Sequence, residues 1–188
     1  MQKLFITLMI LTSTMVTSQV QNKAATHALD HQKSVLHWKG SYTFNISEHN
    51  GVVYFKQGEL TTIDDQITGG SFVINMLSID NVPNSDHKGP IKHLKDPDFF
   101  DVYKFPEARI VFTSVTYYPN TNTHEIYADL TIKGITQNIK FYADIDGIKK
   151  TMKAHFKIDR TRWGITYNNK AKDKAISDAV EFRAELYF

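Results

Sequence analysis

Ala179-Val180-Glu181-Phe182-Arg183-Ala184-Glu185-Leu186-Tyr187-Phe188 alternates: Val180, Phe182, Ala184, Leu186 and Phe188 are apolar, and Glu181, Arg183 and Glu185 between them are charged. A period of two is the pleat of a β-strand with one face buried and the other in water. The device recurs upstream. Met152, Ala154, Phe156 and Ile158 alternate with Thr151, Lys153, His155 and Lys157, and Ile126, Ala128, Leu130 and Ile132 alternate with Glu125, Tyr127, Asp129 and Thr131. Further strands are expected at Ser34 to Lys39, closed by Gly40, and at Val52 to Leu60 after Gly51. Ser71 to Met76 follows a turn bracketed by Asp64-Asp65 and Gly69-Gly70, and Arg109 to Tyr117 and Asn138 to Ile145 complete the set. Their apolar faces need a common interior.

The composition narrows the class. A chain of 188 residues, 41% hydrophobic and 12% aromatic, is long enough for one domain with a sizeable core. Its 22 Lys and Arg oppose 20 Asp and Glu with no basic run, so no nucleic-acid partner is expected. The absence of cysteine excludes disulfides, thiol catalysis, iron–sulfur clusters, cysteine-ligated zinc and lipoprotein acylation.

The first residues read as an address. Lys3, an apolar run from Leu4 to Leu11 and the small residues Val16-Thr17-Ser18 form the three-part pattern of a secretory signal peptide over residues 1–18. The run is too short for a membrane anchor and has no Arg for an organellar presequence. A periplasmic or secreted location follows as the expectation. Residues 19–33 are polar and without period, and read as a flexible leader into a single domain over 34–188.

Strands separated by turn residues and interrupted by one helix-like interval point to an antiparallel meander. Closure into a barrel removes the exposed edge, and eight strands enclose an interior just wide enough to be filled by side chains or to hold one small ligand. The expected fold is an all-β, lipocalin-like, eight-stranded antiparallel barrel. The interval from Asn84 to Phe105 breaks the pattern, and its prolines forbid a central strand. A short helix around Ile91 to Leu94, a turn at Asp96-Pro97-Asp98 and a plug at Phe99-Phe100 would make a lid of His93, Leu94, Phe99 and Phe100 over one end.

Leu94-Lys95-Asp96-Pro97-Asp98-Phe99-Phe100-Asp101-Val102, then Tyr103-Lys104-Phe105-Pro106, Asp129-Leu130-Thr131-Ile132-Lys133-Gly134-Ile135-Thr136 and Asp159-Arg160-Thr161-Arg162-Trp163-Gly164-Ile165 occur in this order. In these motifs the chain resembles the YceI-like lipid-binding proteins, a family that binds polyisoprenoid-type lipids, from about Ser34 to Phe188. It departs from the pattern at Trp38-Lys39-Gly40, His49-Asn50-Gly51 and Arg162-Trp163. The resemblance implies a barrel around a long apolar ligand, in some members a polyisoprenoid chain or isoprenoid quinone, and no catalytic residues. The candidate lipid lining is Ile74, Phe112, Ile126, Leu130, Phe141, Phe156, Ile158, Phe182 and Leu186, although periodicity alone reads the same residues as core.

Polar groups offer little competing chemistry. His87 and His93, with Asp86, Asp96 and Asp98, lack the spacing that sets two imidazoles on one helical face, and no metal site is expected. His37, His124 and His155 fall on the polar sides of their strands and read as solvated. Arg109, Arg160 and Arg162 read as surface or ion-pair residues before lipid-headgroup ligands. Tyr103, Tyr117 and Tyr118 are candidates for an amphipathic mouth. No Gly-x-Ser-x-Gly elbow is present, so hydrolysis is not expected.

The expected function is binding, transport or storage of a long-chain isoprenoid-type lipid in the periplasm, with no catalysis. No cofactor is expected apart from a bound isoprenoid lipid, and the partners are a long-chain apolar lipid and a transiently contacted membrane. The competing readings are a filled barrel serving as a structural or protein-interaction module in envelope stress, and an enzyme, or a partner of one, acting on the same lipid.

Overall fold

The longest strands form where alternation meets a tight turn. The computed structural model describes residues 23–42, 48–83, 90–167 and 176–188; the expected signal peptide lies outside them. Strands β3 (Glu48–Ile63) and β4 (Gln66–Asn81) are joined by Asp64 and Asp65 alone. Both have positive φ, 49° and 63°, the two left-handed residues whose twist suits a two-residue hairpin. The reversal thus takes place at Asp64-Asp65, and Gly69 and Gly70 lie inside β4, opposite Thr61 and Leu60, instead of bracketing the turn. A Cβ on Gly70 would fall 2.9 Å from the Phe112 ring, so glycine there gives room to an aromatic.

The left-handed conformation costs a non-glycine residue about 1 kcal/mol. Asp65→Gly is therefore expected to raise the melting temperature by about 2–3 °C. An unchanged or lower value in a thermal melt would show that the turn carries no such strain.

The remaining strands are β1 (Ala24–Ala28), β2 (Val35–Tyr42), β5 (Glu107–Tyr118), β6 (Thr123–Ile132), β7 (Ile135–Asp146), β8 (Thr151–Asp159) and β9 (Ile176–Tyr187). They pair antiparallel in the order β1-β3-β2-β9-β8-β7-β6-β5-β4, and β3 also pairs with β4. Strands β2 to β9 thereby close into an eight-stranded barrel, as expected from the alternation. Strand β1 is an addition. Because β3 outruns β2, its lower half has an edge left over, and Ala24 to Ala28 pair there with Ile63 to Glu59, while β2 takes Glu48 to Tyr54. The leader expected over 19–33 thus contains a paired strand. Backbone hydrogen bonding places Ala24-Ala25-Thr26-His27-Ala28, which has no large apolar face for a sequence pattern to register.

Six phenylalanines cross the interior. Phe55, Phe72, Phe112, Phe141, Phe156 and Phe182, from six strands, follow one another at centroid separations of 6.2, 5.6, 5.9, 5.1 and 5.4 Å. These are favourable aromatic spacings, and the rings form a belt inside the barrel.

The helix-like interval supplies α1 (Ile91–Lys95), with Leu94 buried. Behind it, Phe99 is buried, and the Lys133 ammonium donates to the carbonyls of Phe99 at 2.7 Å and Pro97 at 3.3 Å. Lys133 and Gly134 make the β6–β7 turn, with φ of 51° and 75°. That turn fastens the lid segment to the barrel rim.

Candidate functional site

Beneath α1 the barrel encloses a cavity of about 140 Å³, roughly ten times the room that one water needs. Its walls come from β2 to β9, and its roof from Pro90, His93, Leu94, Phe99 and Phe100. The lining on β9 runs from Ile176 down to Leu186. At about 3.3 Å per residue and a strand tilt near 40°, that is roughly 25 Å of barrel axis. The lining residues thus run along most of the barrel axis around a modest enclosed volume.

The structure brings Ile74, Phe112, Leu130, Phe141, Phe156, Phe182 and Leu186 around this tunnel, and His93, Leu94, Phe99 and Phe100 at its upper end. Ile126 and Ile158 do not line it. Ile126, opposite Phe141, is fully buried in side-chain packing, and Ile158, opposite Val180, is 6% exposed in the packing of the upper rim. Alternation gives the direction of a side chain but not its depth.

Other lining residues escaped the sequence reading. Trp38, Val53, Phe55, Phe72 and Met76 all face the tunnel. The parity of β2 would have found Trp38 with Leu36. In β3 the signal is scrambled by register shifts between Val52 and Tyr54 and between Phe55 and Gln57, so that Val52 and Val53 are buried side by side.

The tunnel wall is hydrocarbon and aromatic except for Ser41, His49, His93 and Arg160. Arg160 is 2% exposed. Its Nη1 donates to the carbonyl of Ile165 at 2.6 Å, its Nε to Ser177 at 3.1 Å, and its Nη2 to Ile176 at 3.4 Å and to Asp178 Oδ1 at 3.1 Å. Burial pulls its pKa below the usual arginine value, and Asp178 and Asp159 work against that shift. Arg160 is thus a brace joining the 3-10 helix Arg160–Trp163 to the start of β9. That helix begins at Asp159, whose carboxylate accepts from the Thr161 amide at 2.9 Å, and ends at Gly164 with φ of 71°. Trp163 is fully buried and donates from Nε1 to the Leu130 carbonyl at 3.0 Å. The other two candidate arginines are outside: Arg109 pairs with Glu107 at 2.8 Å, and Arg162 reaches the Asn138 carbonyl at 3.1 Å.

His93 Nδ1 stands 3.7 Å from Asp98, and the ligand atoms of His93, Asp96 and Asp98 fall within 4.8 Å of one another. The turn is open to water, with half of Asp98 exposed, and one imidazole with two hydrated carboxylates makes no built metal site. His87 and Asp86 lie outside the described residues. Tyr103 is exposed beside the lid, whereas Tyr117 and Tyr118 end β5 at the opposite end of the barrel, so the three do not form one mouth.

His124 differs from the solvated residue expected. It is buried at that lower end, its ring 4.7 Å from Tyr117, and Nδ1 has no hydrogen-bond partner. Burial holds its pKa below the ordinary 6.5. The unfolded chain then binds more protons than the folded one between the folded pKa and 6.5, so this contribution to stability is lost as pH falls through that window. His124→Phe is expected to flatten the decline in melting temperature on acidification from pH 7. Equal slopes for variant and wild type would assign the acid sensitivity elsewhere.

Comparison with known proteins places this geometry. A UPF0312 protein of Pseudomonas putida (strain W619) is 38% identical over 63 residues, which is 34% of this chain and 32% of that protein. A UPF0312 protein of Pseudomonas syringae pv. tomato is 36% identical over a stretch of the same length, again 34% of this chain and 32% of the relative. These matches therefore cover about a third of the relatives' length. Among solved structures, Burkholderia cenocepacia BcnA superposes with a TM-score of 0.66 at 17% identity, over 84% of this chain and 98% of that one, a likeness of fold. Residues 27–188 match the YceI-like domain, and with the lidded barrel described above the chain belongs to the YceI-like domain family.

Proposed function

We propose that the protein binds one long-chain isoprenoid-type lipid, a polyisoprenoid or an isoprenoid quinone, along the barrel axis, and carries, stores or shields it without chemical change. A periplasmic or secreted location is part of this reading and rests on the signal-peptide pattern of residues 1–18 alone. The observation that carries the proposal is the narrow tunnel, walled almost wholly by hydrocarbon and roofed by α1.

Hydrophobic burial supplies a driving force of the size that such binding needs. An extended chain that gives up about 400 Å² of apolar surface gains on the order of 10 kcal/mol, against an association cost of about 4–15 kcal/mol. Affinity then depends on how much chain the tunnel takes, and no ionic contact is needed.

Organic extraction and mass spectrometry of the protein purified from its own envelope fraction test the proposal. A co-purifying isoprenoid lipid at near-stoichiometric yield is the expected result. Repeated extraction without lipid, together with failure to bind added isoprenoid quinone, would overturn it and favour the filled barrel.

A further inference from the structure

We propose that the tunnel takes its lipid with the polar end uppermost, and that this end is an uncharged oxygen group, a terminal hydroxyl above all, held by Trp38 Nε1 and His93 Nε2. The inference rests on the lipid-binding reading and adds to it the orientation and chemical class of the ligand's head.

Both residues line the tunnel, and both nitrogens are buried with no hydrogen-bond partner. Trp38 is only 9% exposed, and its indole lies over Gly51, where an added Cβ would come within 2.6 Å of Cε2. Nothing except glycine at position 51 leaves the indole where it is. An indole N–H only donates, and a buried donor left unpaired is costly, so the site calls for an acceptor. His93 is set by aromatic contacts, with Tyr167 at 4.1 Å and Phe99 at 6.1 Å between ring centroids. Asp98 beside Nδ1 favours the proton there, which leaves the buried, unpartnered Nε2 of this lining residue as an acceptor. A hydroxyl is the smallest group that offers an acceptor to the indole and a donor to the imidazole.

The same wall argues against an anionic head. Arg160 is the one cationic side chain lining the tunnel among the described residues, and its donors already serve Ile165, Ser177, Ile176 and Asp178. A diphosphate would find no uncommitted guanidinium. Below the two nitrogens the described lining is apolar down to Leu36, Met152 and Leu186, which suits the tail.

The test compares geranylgeraniol, the hydrocarbon of the same skeleton and geranylgeranyl diphosphate, added to delipidated full-length protein. The sequence has two tryptophans, and Trp163 Nε1 is already engaged with Leu130, so the two indole N–H resonances separate the sites. The expected result is that the alcohol moves the Trp38 resonance and leaves that of Trp163 in place, that the hydrocarbon binds without moving it, and that the diphosphate binds more weakly than the alcohol. Trp38→Phe and His93→Phe should each weaken alcohol binding roughly five- to tenfold and leave the hydrocarbon unaffected. His93→Gln, which keeps an acceptor, should recover most of the loss.

An unmoved Trp38 resonance with the alcohol bound, equal affinities for alcohol and hydrocarbon, or tighter binding of the diphosphate would overturn the polar-end assignment while leaving lipid binding intact. Failure of all three compounds to bind would overturn the carrier reading itself. The resonance measurement uses the wild-type protein and holds even where a variant fails to fold.

Discussion

Replacement of Arg160 by methionine is expected to lower the melting temperature by about 10 °C. The guanidinium serves three main-chain carbonyls, those of Ile165, Ile176 and Ser177, from a position 2% exposed. Methionine fills much of the volume and serves none of them. Each carbonyl left without its donor costs about 1 kcal/mol or more, so the three together come to about 3 kcal/mol or more. For a domain of this size each kcal/mol corresponds to roughly 2–4 °C. Asp178 is the control, because its side chain is 65% exposed and water replaces the lost partner. Asp178→Asn should cost less than about 1 kcal/mol. Equal losses for the two variants in a thermal melt would show that the ion pair, and not the carbonyl brace, is what matters.

Ala184→Phe is expected to cut the affinity for a twenty-carbon prenol by about a hundredfold or more while hardly changing the melting temperature. Ala184 lines the lower part of the tunnel, between Leu36 on β2 and Ala154 on β8. A phenyl ring there enters space that ligand would otherwise occupy, so overpacking is limited and the bore is shortened. Each methylene denied burial costs about 0.8 kcal/mol, and losing one isoprene unit amounts to about 3–4 kcal/mol. Prenols shorter by one or two units should keep their wild-type affinity, because the upper tunnel and lid are untouched. A length series measured by calorimetry reads this directly. A uniform loss at all lengths would mean the fold had been disturbed, and no loss at any length would move the ligand out of the tunnel.

The strands with an unbroken period were legible in the sequence for a physical reason. In β6 and β8 the apolar face is buried against a wetter one along the strand, and in β9 the same holds from Arg183 to Leu186, so the register of apolar residues is the register of the barrel. The lid was legible from its prolines and from Phe99-Phe100, which had no strand to occupy. β1 was not, because it is held by edge hydrogen bonds and not by a large apolar face. His124 was misplaced because alternation treats imidazole as polar, whereas here it is buried at the lower end of the barrel. Depth along the axis, which separates Ile126 from Leu130, depends on where neighbouring strands stop. Trp38 Nε1 and His93 Nε2 could not be foreseen as a pair, since one is on β2 and the other on α1.

The pairing of β2 with β9 sets the order in which the molecule can assemble. Strand β9 fills the slot between β2 and β8, so Val35 meets Glu185, and the Tyr187 amide donates to Ser34 Oγ across 153 positions of sequence. Local hairpins such as β3–β4 and β5–β6 can form from neighbouring segments alone, but the seam needs residues 176–187 to meet β2. Contacts of such high sequence separation carry a large loop-closure entropy and form slowly relative to local hairpins. Until β9 has paired with both β2 and β8 the sheet stays open, so an interior walled on every side exists only after that strand has found its place.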